Sequence, residues 1–178
     1  MKNIVLIGFM GSGKTVVGKR LAKRLGYIFI DTDKIIEDRS GKSITEIFRQ
    51  YGESYFRELE AKLVKDLSGI EEHVISTGGG IVVNRENILS FKKHGFIICW
   101  LKASPETIHN RIKNQTHRPL IDVENPLNEI KRLLATREKL YAEADISVDT
   151  DGMEADKIVD IIVDAYSKSA GGGKRIAG

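Results

Sequence analysis

The sequence predicts an α/β fold, in which a five-stranded parallel sheet is covered by helices on both faces. Three observations carry this prediction. Short apolar runs alternate along the chain with segments of helical periodicity, which is the order of elements in a parallel sheet. Glycine, proline and capping residues separate the two kinds of segment. Glycine-rich or acidic stretches follow the first three apolar runs, and ligands bind at that end of such sheets.

The first two strands and the helix between them follow from local patterns. The apolar run NIVLIG, which ends in glycine, predicts a buried strand. In KTVVGKRLAKRLG, apolar residues recur four apart and Gly26 follows, so we expect a helix with a glycine stop. The run YIFID predicts the second strand.

The middle of the chain continues the alternation. Ser43 and Glu46 match a capping box, which predicts the start of a helix. The apolar face of this helical region extends to Gly69. HVIST predicts a third strand, and a third helix is expected over about residues 85–93.

Two proline-marked helix starts lie in the second half of the chain. FIICWL predicts strand four, after which Ser104 and Pro105 occupy the cap and first positions of a helix. Asn125 and Pro126 repeat this arrangement, so we expect another helix to begin there.

The segment between these two helices shows neither helical nor strand periodicity. Residues 114–125 are polar and proline-containing, which predicts a long loop that could close over a site as a mobile lid. ISV predicts a fifth strand, and a final amphipathic helix is expected to lead to residue 168. Residues 169–178 have almost nothing to bury, so a disordered tail is expected.

Composition excludes several classes of function. The chain has 178 residues, 41% of them apolar, with a net charge of +3, which favours one domain and gives no argument for nucleic acid. Its apolar runs are shorter than the roughly 20 residues that span a bilayer. The single cysteine, Cys99, excludes an internal disulfide and is expected to be buried. We expect a cytoplasmic monomer.

The loop after the first strand matches a phosphate-binding pattern. Gly8, Gly13, Lys14 and Thr15 fit G-x-x-x-x-G-K-[ST] between a strand and a helix. Inward-pointing N–H groups and the positive helix end suit phosphate oxygens, while the lysine supplies a cation and the threonine hydroxyl suits Mg²⁺. The pattern predicts binding of ATP or GTP. The expected nucleotide-binding residues of this loop are Gly11, Ser12, Gly13, Lys14 and Thr15.

Two carboxylates follow the second strand. Asp31 and Asp33 are two apart, so at the end of an extended strand their side chains would project to the same side. One could then face the metal and the other an acceptor hydroxyl. The alternative is that Asp33 caps a helix from Lys34 onward. A switch GTPase is not indicated, because the sequence has no Asn-Lys-x-Asp stretch.

The order of six motifs resembles the shikimate kinase family. They are GFMGSGKTVVGKRLA, DTDKIIE, GESYFRELE, STGGGIV, RPL and TREKLYAEAD. The resemblance covers residues 1–168. It implies a P-loop fold of the nucleoside-monophosphate-kinase type with a mobile lid. It also implies transfer of the γ-phosphate of ATP to the 3-hydroxyl of shikimate, in aromatic amino acid biosynthesis.

The resemblance assigns acceptor residues in this sequence. Arg57 and Arg137 match the family's carboxylate clamp, which agrees with the bidentate geometry of guanidinium groups. Arg57 could also pair with Glu60, three residues on. Gly79 and Gly80 would contact the substrate through their backbone. Asp33 would bond the reacting hydroxyls, either as a general base or only as an orienting group.

The remaining assignments concern the nucleotide and the transferred group. Lys14, Asp33 and Arg118 are the expected catalytic residues, with Arg118 brought in by the lid. Arg111 resembles the family's adenine-stacking arginine. Thr15 and Asp31 are expected to hold Mg²⁺, the carboxylate through water.

Two rival functions remain open on the sequence. Another small-molecule P-loop kinase, such as gluconate kinase, would share the scaffold and accept a polyhydroxy acid. A non-catalytic ATP-binding module would share the loop, but all the assigned catalytic positions are present here.

Overall fold

The structure, a computed structural model, describes residues 2–113 and 124–170. These residues contain a five-stranded parallel sheet with strand order β2-β3-β1-β4-β5. The strands are β1 (Ile4–Ile7), β2 (Ile28–Asp31), β3 (His73–Ser76), β4 (Ile97–Lys102) and β5 (Ile146–Asp149). The predicted fold class and each predicted strand are therefore confirmed.

Helices connect the strands, and all but the one that directly follows β2 lie where the local signals predict. They are α1 (Lys14–Leu25), α2 (Thr32–Ser40), α3 (Ile44–Asp66), α4 (Arg85–Lys93), α5 (Pro105–Ile112), α6 (Pro126–Tyr141) and α7 (Ala155–Ala170). Both bonds of the Ser43 capping box are present. The side chains of Ser104 and Asn125 accept backbone N–H bonds at the starts of α5 and α6. Gly52 interrupts α3 with a φ of 81°.

The sheet is buried on both faces. On one face, β1, β3, β4 and β5 pack against α1 and α7. On the other face, β1, β3 and β4 pack mainly against α3, α4 and the end of α6. β1 is central and fully buried. Cys99 in β4 is also fully buried, as predicted. Because β1 is central and β3 and β4 flank it, the loops after these strands meet at one edge.

The structure corrects the predicted geometry of Asp31 and Asp33. Only Asp31 lies in a strand, because α2 begins at Thr32. The Asp31 carboxylate accepts hydrogen bonds from the N–H groups of Asp33 and Lys34, at 3.2 and 3.4 Å. Asp31 is thus the helix cap, and the alternative that Asp33 caps this helix is also wrong. The chain turns here because a cap carboxylate satisfies N–H groups of the first helical turn.

Some predictions fall at or beyond the limits of the described chain. The predicted lid, residues 114–125, lies outside the described residues except for Glu124 and Asn125, and Arg118 lies outside them as well. The last helix continues to Ala170, two residues into the predicted tail. Among the helices that the structure describes, none is long and apolar enough to cross a membrane.

Candidate active site

The loops at the carboxyl ends of β1, β2 and β3 line one cavity of about 290 Å³. Its walls come from segments that are far apart in the sequence. They are Met10, Gly11, Gly13, Lys14, Thr15, Val16, Asp33, Gly79 and Arg111. Six of the predicted site residues therefore share one surface with Asp33. This placement follows from the parallel sheet, since all its strands end at the same edge.

The loop between β1 and α1 has the conformation that phosphate binding requires. Gly13, the residue that precedes α1, has a φ of 98°, which disfavours any residue with a side chain. The ammonium group of Lys14 donates hydrogen bonds to the carbonyl oxygens of Gly8 and Phe9, at 2.8 and 2.9 Å. The lysine is thus held on neutral acceptors beside the first turn of α1, where an anion is favoured.

Ser12 lies within the same loop but differs in its surroundings. Its side chain is buried, and its hydroxyl oxygen has no hydrogen-bond partner among the described residues. A Cβ at Gly8 would lie 2.8 Å from this oxygen. The serine is therefore packed under the loop.

Oxygen groups from three elements meet beside the loop. The Thr15 hydroxyl donates to Asp31 Oδ2 at 3.0 Å, and it lies 3.5 Å from the Ser76 hydroxyl. A hydroxyl and a carboxylate this close suit Mg²⁺, which binds few protein oxygens and completes its shell with water and phosphate. The donor set present here therefore fits the predicted metal.

Asp33 and Glu60 approach the glycine after β3 from two elements. A Cβ at Gly78 would lie 2.8 Å from Asp33 Oδ1 and 2.7 Å from Glu60 Oε1. Any side chain at this position would displace one of the carboxylates. The Gly78 N–H donates to the Thr32 hydroxyl at 3.2 Å, which fixes this glycine against the start of α2.

Arg57 is held between two carboxylates on its own helix. Its guanidinium donates to Glu60 Oε2 at 2.6 Å and to Glu53 Oε1 at 2.6 Å. Burial works to lower the pKa of Arg57, but the charges and hydrogen bonds of Glu60 and Glu53 outweigh it and raise the pKa above its ordinary value. Arg57 is thus a fixed, permanent cation. The predicted pair with Glu60 is present.

Glu60 is the buried member of this network. Its side chain has no exposed surface, and Oε1 has no hydrogen-bond partner among the described residues. Burial raises the pKa of Glu60 to about 7, and the charges of Asp33 and Glu53 add to the effect while Arg57 opposes it. A carboxyl group with this pKa is partly protonated near neutral pH.

Gly79 and Gly80 lie between the loop after β1 and Arg57. A Cβ at Gly79 would lie 2.9 Å from the Met10 nitrogen, and a Cβ at Gly80 would collide with the guanidinium of Arg57. The glycine backbone therefore lies between the loop and Arg57. A ligand in this region could approach backbone N–H groups without meeting a side chain.

Arg137 is buried beside the loop after β1. It lies on α6 with 7% of its surface exposed, and its guanidinium carbon is 5.7 Å from the centre of the Phe9 ring. Its Nη1 has no hydrogen-bond partner among residues 2–113 and 124–170. A buried cationic donor is costly unless an anion pairs with it, so this group suits an anionic ligand.

Arg111 joins the nucleotide loop to the segment after β5. It donates to the Gly11 carbonyl at 3.2 Å and to the Thr150 carbonyl at 3.1 Å. Arg111 also lines the cavity. Arg118 lies outside the described residues.

Sequence reasoning missed three residues at this site. Glu53 is a second partner of Arg57, Thr150 binds Arg111, and the hydroxyl of Tyr141 donates to the Gly79 carbonyl. The spacing of Arg137 and Tyr141, four apart in TREKLY, places them on one helix face and could have indicated the tyrosine. Thr150 gives no such signal, because its contact depends on the chain's return through β5.

The sheet order and the site together define a class of protein. A glycine loop that leads from a central parallel strand into a helix, with an acid-lined and arginine-lined recess beside it, is the arrangement of the P-loop kinases of the nucleoside-monophosphate-kinase type. Such enzymes use ATP as co-substrate.

Comparisons with known proteins identify the family. The family model for shikimate kinase matches residues 10–167. The shikimate kinase of Thermodesulfovibrio yellowstonii is 47% identical over 172 residues, which are 97% of this chain and 99% of that protein. The shikimate kinase of Pelotomaculum thermopropionicum is 50% identical over 163 residues, which are 92% of this chain and 94% of that protein. The chain therefore belongs to the shikimate kinase family.

Solved structures agree with this assignment. Shikimate kinase from Acinetobacter baumannii, in complex with shikimate, superposes with a TM-score of 0.91 at 34% identity, covering 98% of this chain and 96% of that one. A gluconokinase from Sinorhizobium meliloti superposes with a TM-score of 0.64 at 21% identity, covering 96% and 94%. The second likeness concerns the fold alone, and the gluconate kinase alternative is not favoured.

Proposed function

We propose that this chain transfers the γ-phosphate of ATP to the 3-hydroxyl of shikimate, giving shikimate 3-phosphate and ADP. The observation that carries the proposal is the position of Arg57 and Arg137. Arg57 lies against Gly80, next to Gly79 in the cavity wall. Arg137 lies beside Phe9 of the phosphate loop and interacts with Tyr141, whose hydroxyl donates to the Gly79 carbonyl. A carboxylated acceptor bound there would have its ring beside the terminal phosphate.

The loop after β1 binds the nucleotide in this proposal. N–H groups of Gly11, Ser12 and Gly13 would surround the phosphates, and Lys14 would exchange its carbonyl partners for phosphate oxygens. Such an exchange is favourable because an anion binds the ammonium more strongly than a neutral carbonyl does. Arg111 would contact the adenine.

In this proposal, the acceptor binds beside the glycine segment. Arg57 and Arg137 would hold the carboxylate, while N–H groups of Gly79 and Gly80 would contact the substrate. Asp33 would accept a hydrogen bond from the reacting hydroxyl. In a loose transition state, orienting this oxygen and removing its proton are separable roles, so the two alternatives for Asp33 stay distinct.

Two further groups complete the proposed site. Thr15 would hold Mg²⁺ directly and Asp31 through water. When bound, the metal neutralises developing charge on the phosphate oxygens. Arg118, on the proposed lid of residues 114–125, would add a cation at the transferred group. We further place the enzyme in the cytoplasm as a monomer.

The direct test is acceptor-dependent ADP release. Purified protein with Mg²⁺ and ATP is offered shikimate, gluconate, a nucleoside monophosphate or no acceptor, and ADP is measured in a coupled assay. Of these acceptors, only shikimate is expected to stimulate ADP release. Mass spectrometry should identify the product as shikimate 3-phosphate. Equal ADP release with and without shikimate, or stimulation by gluconate instead, would overturn the proposal.

A further inference from the structure

A buried tyrosine hydroxyl lies where the acid-binding groups meet. Tyr141 is the last residue of α6, and its ring is fully buried. The hydroxyl donates to the Gly79 carbonyl at 2.5 Å. Arg137 lies one helical turn earlier, and it acts on this hydroxyl through its charge and a side-chain hydrogen bond, while Arg57 and Glu60 act through their charges.

The ring of Tyr141 has little freedom to move. It stacks on Trp100 of β4, with 5.7 Å between the ring centres and 17° between the ring planes. Burial raises the pKa of the Tyr141 hydroxyl to about 12, so the group remains a neutral donor at any pH at which the enzyme works. The hydroxyl can therefore donate to the Gly79 carbonyl throughout this pH range.

The bond has a consequence for the next residue. The Gly79 carbonyl and the Gly80 N–H belong to one planar peptide unit, and in this trans unit they point in opposite directions. A donor that fixes the carbonyl also fixes the direction of the N–H. Three consecutive glycines, at positions 78–80, have little stiffness of their own, so this direction needs an external constraint.

We propose that Tyr141 is a positioning residue for the acid substrate: its hydroxyl holds the Gly79 carbonyl and thereby directs the Gly80 N–H toward the ligand that Arg57 and Arg137 bind. The proposal rests on the proposed function, because it concerns the same acceptor. It adds a residue of α6, besides Arg137, that links the clamp to the glycine segment.

The test is Tyr141→Phe, which keeps the ring stacked on Trp100 and removes one hydroxyl. We expect the KM for shikimate, and its Kd measured without nucleotide by isothermal titration calorimetry, to rise about 5- to 20-fold. The KM for ATP should stay within twofold of the wild-type value. A rise in the KM for shikimate without a rise in the KM for ATP separates a positioning role from a general loss of structure.

The matched control is Tyr166→Phe on the opposite face of the sheet. The Tyr166 hydroxyl also donates to a backbone carbonyl, that of Lys2, at 2.8 Å, and its side chain is buried. This variant should lose a similar amount of thermal stability and keep the wild-type KM for shikimate. An unchanged shikimate KM in Tyr141→Phe, or an equal rise in the ATP KM, would overturn the inference. A wild-type enzyme that ignores shikimate would instead refute the proposed function itself.

Discussion

The proposed nucleotide wall, which is the loop from Gly8 to Thr15, and the proposed acid wall, which is Gly79 and Gly80 with Arg57 and Arg137, hold their cations in different ways. On the nucleotide wall, Lys14 donates to neutral carbonyl oxygens of its own loop. On the acid wall, Arg57 is fixed by two carboxylates, one of them fully buried. The carbonyl bonds of Lys14 can be exchanged for bonds to an arriving phosphate at small cost, whereas a cation between carboxylates keeps its position and presents a preformed site. We therefore expect Lys14 to change its hydrogen-bond partners when the nucleotide binds, and Arg57 to keep its partners.

Removing the ammonium group of Lys14 should have the largest effect on activity. Lys14→Met leaves the loop glycines in place but removes the charge that would stabilise the transferring phosphoryl group. We expect kcat to fall by about a thousandfold or more, measured by ADP release at saturating shikimate. Lys23→Met, at an exposed position on the same helix, is the control and should keep wild-type activity. Turnover near the wild-type rate in Lys14→Met would remove the lysine from the mechanism.

Removing the guanidinium of Arg57 should weaken binding of the acid substrate and leave ATP binding unchanged. Arg57→Ala is expected to raise the KM for shikimate by about a hundredfold, because a buried charge partner is lost. The KM for ATP should stay within twofold. Arg39→Ala, which breaks an exposed pair with Asp66, is the control and should leave both constants unchanged. If the affinity for ATP fell instead, the assignment of Arg57 to the acid wall would be wrong.

The buried carboxyl group of the fixed wall should make stability depend on pH. The pKa of Glu60 is raised from 4.5 to about 7 in the folded protein, so between these values the native state binds more protons than the unfolded state. The free energy of unfolding should therefore fall as pH rises through this window, by on the order of 2 kcal/mol.

Urea unfolding at pH 5 and pH 8 checks this slope. Glu60→Gln should have a flatter pH dependence than the wild type, whatever its absolute stability. Glu58→Gln, an exposed neighbour on the same helix, should keep the wild-type slope. An identical slope in wild type and Glu60→Gln would contradict the prediction.

The smallest expected effect lies on the nucleotide wall. Arg111→Ala removes hydrogen bonds to the Gly11 and Thr150 carbonyls, so the KM for ATP should rise about 3- to 10-fold while the KM for shikimate changes less than twofold. Arg132→Ala, which breaks an exposed pair within α6, serves as the control. If the KM for shikimate changed more than the KM for ATP, the assignment of Arg111 to the nucleotide wall would be wrong.

The sequence by itself determined the order of strands and helices and the phosphate-binding loop. Periodicity, capping residues and the glycine pattern act over a few residues, so Ser43, Ser104 and the loop from Gly8 to Thr15 could be interpreted without knowledge of the fold. The residues of the acid wall were named from motif resemblance, since local physics gave only their charge.

Only the tertiary structure decided how those residues act. It made Asp31 the helix cap, buried Arg137 beside Phe9, placed Tyr141 on the Gly79 carbonyl and raised the pKa of Glu60. Each of these outcomes depends on burial and on charges contributed by distant segments. Desolvation and coulombic energies depend on distances in space, which the spacing of residues along a chain does not specify.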